Sequence, residues 1–320
     1  MRASSVVIPF MLAIFAVSNL AAQQPQREVA ITIDDLPAAS PTMGGKEMDE
    51  LTAKLLATLK QNNVPVVGFV NEKKLYVKGE VDDRIAALRM WTDNGFELGN
   101  HTFSHASLNQ HTLKDWEEEV IRGETVTSML LAEHKMKIRY LRHPYLDTGR
   151  DLETRRDAEN FLAQRGYRIA PVTMDAWDWM YGGVYETARK KGDTALEQKL
   201  VASYLEHTND VFDYYEKFSK QLIGYEPAQI LLLHCNWLEA EHIGELLDTL
   251  RKRGYKFVSL QEALSDSAYG LPDTFVSEEG TNWIDHWAIT QGKFPQHTPE
   301  FPQWVIDLAH QSPHVTEQPY

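Results

Sequence analysis

Between residues 28 and 264, short β-branched and largely apolar runs alternate with longer amphipathic stretches. The runs occupy 29–35, 66–71, 96–102, 138–144, 168–173, 230–236 and 256–260. Near-continuous apolarity over so few residues predicts strands covered on both faces. Helix-period stretches at roughly 46–61, 82–93, 112–134, 151–165, 195–222 and 238–253 predict the covering helices. Thr112, three residues before Asp115, and Asp151 read as helix N-caps. Asn94-Gly95-Phe96, Arg165-Gly166-Tyr167 and Arg253-Gly254-Tyr255 each set a helix-closing Gly before an aromatic strand entry. A βαβα rhythm builds a parallel sheet. Seven strands with crossover helices predict an α/β fold, a distorted (β/α)7-type barrel one unit short of the eight-stranded form, over 28–264.

The two ends fall outside this rhythm. Met1 and Arg2 precede an apolar stretch at 6–17, then small residues to Ala22 and the polar Gln23-Gln24-Pro25-Gln26. That order predicts a secretory signal peptide over 1–22, since the apolar stretch falls short of the ~20 residues that span a bilayer. Export to the periplasm or beyond follows, with no integral membrane segment in the mature chain. An exported chain whose only cysteine is Cys235 has no internal disulfide, and Cys235 itself reads as a small buried hydrophobe. Residues 265–320, rich in Pro and His with Trp283, Trp287 and Trp304, predict an irregular C-terminal wrap on the barrel. A net charge of −14 without a basic run argues against nucleic acid or an anionic lipid surface as partner. The chain has no G-x-S-x-G, P-loop or G-x-G-x-x-G, against serine hydrolase, NTPase and dinucleotide chemistry.

In such barrels the working side chains sit where strands end, on the C-terminal face. Those positions carry Asp34-Asp35, His101 and His105, Arg142 to Tyr145, Asp175 to Trp179, and His234. Carboxylate, imidazole and guanidinium thus converge on one face. A His-x3-His spacing puts both imidazoles on one side of a helical turn, able to share a cation. One carboxylate would complete a three-ligand zinc-type site with an open position. Thr102 after His101 departs from the zincin helix signature, which has Glu there. Of the adjacent acids, one is placed to ligate while its neighbour takes a proton from the attacking water. Adjacent residues fit neither the about 6.5–9.5 Å nor the about 5–5.5 Å carboxyl separation of glycosidases, which disfavours glycoside cleavage.

Ile31-Thr32-Ile33-Asp34-Asp35, His101-x3-His105, Arg142-x-Pro144-Tyr145, Asp178-Trp179 and Leu232-Leu233-His234 occur in this order. The set closely resembles the polysaccharide deacetylase family, the NodB-homology or family 4 carbohydrate esterases, across roughly 28–264. The resemblance implies a divalent metal on Asp35, His101 and His105, Zn²⁺ foremost with Co²⁺ or another transition metal as alternative. It implies Asp34 as general base, Arg142 holding that base ionised, and His234 as general acid paired with Asp178. The N–H of Tyr145 would join the oxyanion hole, and Trp179 and Leu232 would shape the pocket for the acetyl methyl. The implied reaction is removal of acetyl groups from an N- or O-acetylated carbohydrate, of chitooligosaccharide or peptidoglycan type, by metal-activated water. Two other readings stay open: the same chemistry on a small non-sugar amide, and a non-catalytic metal-bearing carbohydrate-binding module. His143, Leu146 and Cys235 stand where the family usually has Pro, often Gly and often Asp. A long stretch at 180–228, with Tyr204, Tyr214 and Tyr215, separates the last two motifs and bears on the substrate groove.

Overall fold

The first apolar run becomes the strand around which the sheet is built. The computed structural model describes residues 27–293 and 298–315, and the expected signal peptide lies outside the described residues. β1 (Arg27–Leu36) runs parallel to β2 (Val66–Val70) and to β7 (Gln229–His234), with Ile31 opposite Val66 on one side and Leu231 on the other. β3 (Glu97–Asn100), β4 (Tyr140–Leu141) and β5 (Arg168–Ile169) extend the sheet beyond β2; β6 (Met174–Asp175) pairs with β7, and β8 (Tyr255–Phe257) with the first residues of β1. Ile31, Ile33 and Leu233 are buried, as near-continuous apolar runs require when both faces are covered. The result is the distorted (β/α)7-type barrel, open between β5 and β6 in the hydrogen-bonded strand order.

Helices cover the strands in the expected order. α1 (Gly45–Gln61) turns Met48, Leu51, Thr52, Leu55 and Leu59 inward at helical spacing. Each such leucine contributes about 1.5–3 kcal/mol by burial. α2 (Val81–Asp93) precedes β3, and the single stretch expected at 112–134 divides into α3 (Leu113–Arg122) and α4 (Thr125–Glu133). Gly123 stands at the break, where a Cβ would lie 3.0 Å from Asn100 Oδ1 and 3.1 Å from the Phe103 amide nitrogen. α5 (Leu152–Gln164) leads to β5. The run at 168–173 also divides, because Pro171 has no N–H to give the ladder. The chain then crosses over, and the Thr173 amide donates to the Ile230 carbonyl at 3.0 Å.

α6 (Asp178–Lys191) and the long α7 (Thr194–Ile223) fill the stretch between β6 and β7. α8 (Trp237–Lys252) and the short α9 (Leu260–Ala263) flank β8. The C-terminal segment carries α10 (Trp283–Thr290) and α11 (Gln303–Ala309) within otherwise irregular chain. It is anchored on the barrel by Arg155, which donates to both Asp273 oxygens at 2.9 and 2.7 Å, and by the Trp283 amide on the Val172 carbonyl at 2.7 Å.

Candidate active site

Adjacent strand residues normally point to opposite faces. At the end of β1 they do not, because Asp35 takes a left-handed backbone with φ 70°. Asp34 Oδ2 lies 3.7 Å from His101 Nε2, and Asp35 Oδ1 lies 3.8 Å from His105 Nε2. Fully buried Arg142 holds Asp34: its Nη1 donates to both carboxylate oxygens at 3.1 and 3.3 Å. The guanidinium is itself fixed, donating from Nη2 to Thr32 Oγ1 at 2.9 Å and from Nε to the Ala170 carbonyl at 2.7 Å. Burial lifts the Asp34 carboxyl to about 6, with Arg142 and His234 opposing and Asp35 adding to the rise. Burial acts against the charge on Asp35 too, but Lys74, His105, His234 and His101 outweigh it and hold that carboxyl well below the usual range. Lys74 stands on a one-turn 3-10 helix, Glu72–Leu75, after β2, its Nζ 3.0 Å from Asp35 Oδ1 and donating to the Asp35 carbonyl at 3.1 Å.

The two histidines come from a loop, which corrects the helical turn expected for their spacing. Thr102 and His105 both have positive φ, 59° and 62°, conformations no α-helix contains. Local bonds hold this shape: Thr102 N–H donates to Asn100 Oδ1 at 2.8 Å, and Ala106 N–H to Thr102 Oγ1 at 2.7 Å. His101 Nδ1 is 2.8 Å from the Arg142 carbonyl, which can only accept. The proton therefore sits on Nδ1 and Nε2 keeps a lone pair. Burial, then the neighbouring His105, pushes His101 well below its ordinary value, and burial takes His105 to about 4. Both imidazoles are neutral at pH 7.

Asp35, His101 and His105 each offer a ligand atom, all within 4.8 Å of one another. Asp35 Oδ1 is buried without a hydrogen-bond partner, with the Lys74 ammonium as an ion-pair neighbour at 3.0 Å. Two neutral imidazoles and an anionic carboxylate with an oxygen to spare fit a divalent transition metal.

On the other side stands a histidine–carboxylate pair. His234 Nδ1 lies 2.8 Å from Asp178 Oδ1, while Asp178 Oδ2 accepts from the His234 amide at 2.8 Å and from Asn236 Nδ2 at 3.0 Å. Burial would lower His234, but the charge and hydrogen bond of Asp178 together with the charges of Asp35 and Asp34 outweigh it, and the imidazole is pushed up to about 9. A further strained turn, Pro144–Leu146, carries Tyr145 and Leu146 at φ 57° and 58°. The Tyr145 ring meets His105 edge-on with centroids 4.4 Å apart. His143 is buried and stacked on Trp116 at 5.3 Å, and burial pushes it down to about 3.

A cleft of about 640 Å³ opens over these groups. Asp34, His101, His105, Tyr145, Trp179, Leu232 and His234 line it. Asp35, Arg142 and Asp178 stand behind, each against a lining residue. The ten site residues expected from sequence thus occupy one place. Lys74 was not expected, and Asp175 was expected at a strand end but with no role. Lys74 follows the end of β2, a strand end on the same face, so position alone signals it. Asp175 lines the cleft, and burial lifts its carboxyl to about 6. Cys235 is buried with Sγ 3.2 Å from the Pro37 carbonyl, and burial pushes its thiol up to about 12, in keeping with a packing role.

Residues 21–168 match the family model described as polysaccharide deacetylase. The chitin deacetylase of Colletotrichum lindemuthianum is 25% identical over 245 residues, 75% of this chain and 80% of that protein. A peptidoglycan-N-acetylglucosamine deacetylase of Bacillus cereus is 28% identical over 152 residues, 48% of this chain and 46% of that protein. The solved Colletotrichum chitin deacetylase superposes with a TM-score of 0.51 at 23% identity, over 75% of this chain and 88% of that one. A CE4 family pseudoenzyme from Bacillus anthracis gives 0.52 at 16%, over 76% and 66%. These two structures share the fold. Among the described residues no helix is long and apolar enough to cross a membrane.

Proposed function

For a chain that belongs to the polysaccharide deacetylase family, we propose the activity of a metal-dependent hydrolase that removes acetyl groups from N- or O-acetylated glycans of chitooligosaccharide or peptidoglycan type. One observation carries this reading. Beside the Asp35, His101 and His105 cluster stand a carboxylate held by Arg142 and an imidazole held by Asp178, lifted to about 6 and about 9. At pH 7 the first is ionised and the second protonated, the states that a general base and a general acid need before turnover.

Asp34 then takes a proton from the attacking water. His234 gives its proton to the departing amine or alkoxide, and Asp178 stabilises the imidazolium until it does. The N–H of Tyr145 donates to the oxyanion that develops on the acetyl carbonyl. Trp179 and Leu232, both on the cleft wall, bound the acetyl methyl. A divalent ion on Asp35, His101 and His105, Zn²⁺ foremost and Co²⁺ next, supplies Lewis acidity when bound, lowering the pKa of water and polarising the carbonyl. Export with residues 1–22 as leader belongs to the same reading.

Acetate release from chitooligosaccharides, peptidoglycan and acetylxylan, with Zn²⁺ or Co²⁺ supplied, tests it. Asp34→Asn should lose at least about 10²-fold in rate while metal content stays near one ion per chain. Asp35→Ala and His101→Ala should lose the metal itself. Full activity in Asp34→Asn would overturn the assignment of the base. Metal uptake by the wild type without acetate from any glycan would favour the non-catalytic binding module. The same chemistry on a small non-sugar amide is the second reading, favoured by the walls that α7 and the C-terminal segment add to the cleft.

A further inference from the structure

The segment that follows the barrel touches the centre itself. Gly280 N–H donates to Asp147 Oδ1 at 2.8 Å. A Cβ at position 280 would stand 2.3 Å from the Tyr145 carbonyl oxygen and 2.3 Å from the Leu146 carbonyl carbon. Gly280 is not in the left-handed region, so what it supplies is space. Only a residue without a side chain lets this segment lie against the Tyr145–Leu146 backbone.

The same segment is tied to the histidine loop. Asn109 Nδ2 donates to the Ser277 and Glu278 carbonyls at 3.1 and 3.2 Å, and its Oδ1 accepts from the Gly149 amide at 2.8 Å. Asp147 also accepts from Ser107 Oγ. Ser107 and Asn109 follow His105, whereas Asp147 and Gly149 follow Tyr145. Residues 277–280 therefore join the loop that carries His105 to the turn that carries Tyr145. That turn holds two consecutive side-chain-bearing residues at positive φ. Such a backbone persists only where its surroundings over-determine it. The packed Gly280 and the Asn109 and Asp147 bonds are those surroundings.

We infer that the C-terminal segment is a positioning element of the active site, with Gly280 packed against Tyr145 and Leu146 to hold the Tyr145 N–H where the oxyanion develops. The inference rests on the deacetylase reading above for what that N–H does. It makes residues beyond the barrel part of the catalytic apparatus. Thr281 and Asn282, next in the chain, line the same cleft.

Gly280→Ala places a methyl where backbone already lies, so the turn must shift. Displacements of this size cost up to about 10²-fold in rate. We expect kcat to fall about 10- to 100-fold, with KM changed less than about threefold and metal content still near one per chain. Asn109→Ala, which removes ties without adding bulk, should lower kcat in the same direction by less, and it carries the test if Gly280→Ala does not fold. A merely structural contact would lower Tm and leave kcat per metal-loaded molecule unchanged. That result in both variants overturns the inference. Amide hydrogen exchange gives a readout that does not depend on turnover. Exchange over 145–149 should quicken by about tenfold or more in the variants while α1 stays protected. If the wild type releases no acetate, the deacetylase reading falls and exchange alone decides whether the segment holds the turn. Unchanged exchange there also overturns it.

Discussion

Asp178 spends both its oxygens on one strand end, one on the His234 ring and the other on the His234 amide and Asn236. It thus sets the proton of His234 and the position of its ring together. The pH dependence follows with a definite sign. In the proposed mechanism His234 works while protonated, so the rate should fall on the alkaline side as it loses its proton near its raised value of about 9. Asp178→Asn removes the largest of the contributions that together outweigh burial, so the pKa drops and the alkaline limb moves to lower pH by at least about one unit. A pH–rate series on both proteins measures this, and an unmoved limb would show that something other than Asp178 sets it. Cys235 offers a contrasting case. Buried and raised to about 12, it should resist a thiol reagent in the native protein and react only on unfolding. Cys235→Ala should release acetate at close to the wild-type rate.

The strands that deliver these residues are packed without slack. A Cβ on Gly99 of β3 would stand 2.5 Å from the Phe69 ring and 3.1 Å from the Tyr140 carbonyl oxygen. Gly99→Ala should therefore cost about 1–3 kcal/mol by overpacking, read as a shift of the denaturant midpoint. Elements of this kind were legible in the sequence, because apolar runs at 29–35 and 230–236 and the helix period at 46–61 and 238–253 report burial directly. That the residues proposed as ligands and base lie together was legible too, since strand ends on one face collect them. What stayed hidden was backbone direction. The histidine loop depends on left-handed Thr102 and His105, and the turn after β4 on left-handed Tyr145 and Leu146. None of these is Gly, so composition carries no trace of their conformation. Gly123 and Pro171 did mark breaks, but a break shows only once it is known which backbone comes close to it.

The chain as a whole decides what reaches this centre. α7 brings His207, Val211 and Tyr215 to the cleft, and the C-terminal segment brings Glu279, Asp285 and Phe301. A cleft of about 640 Å³ with these added walls is of the size that engulfs a small ligand, roughly 300–1,000 Å³. Among the described residues no Lys or Arg lines it, while Asp34, Asp175, Glu279, Asp285 and Glu300 do. The acidic balance of the sequence is thus repeated in the cleft proposed to take substrate. Such a lining offers acceptors to hydroxyl and N–H groups and repels carboxylate. Peptidoglycan with acidic side groups is at a disadvantage there on charge, and any long polymer on access. The expected order of kcat/KM is therefore a soluble, uncharged, N-acetylated oligosaccharide of a few rings first, its insoluble polymer next and carboxylate-bearing peptidoglycan last. Acetate released per enzyme, measured against concentration of acetyl groups, gives that order directly. Equal turnover of oligomer and polymer would mean that the walls from α7 and the C-terminal segment do not restrict access. Raised salt separates the two causes, because it should narrow the gap set by charge and leave the gap set by access in place.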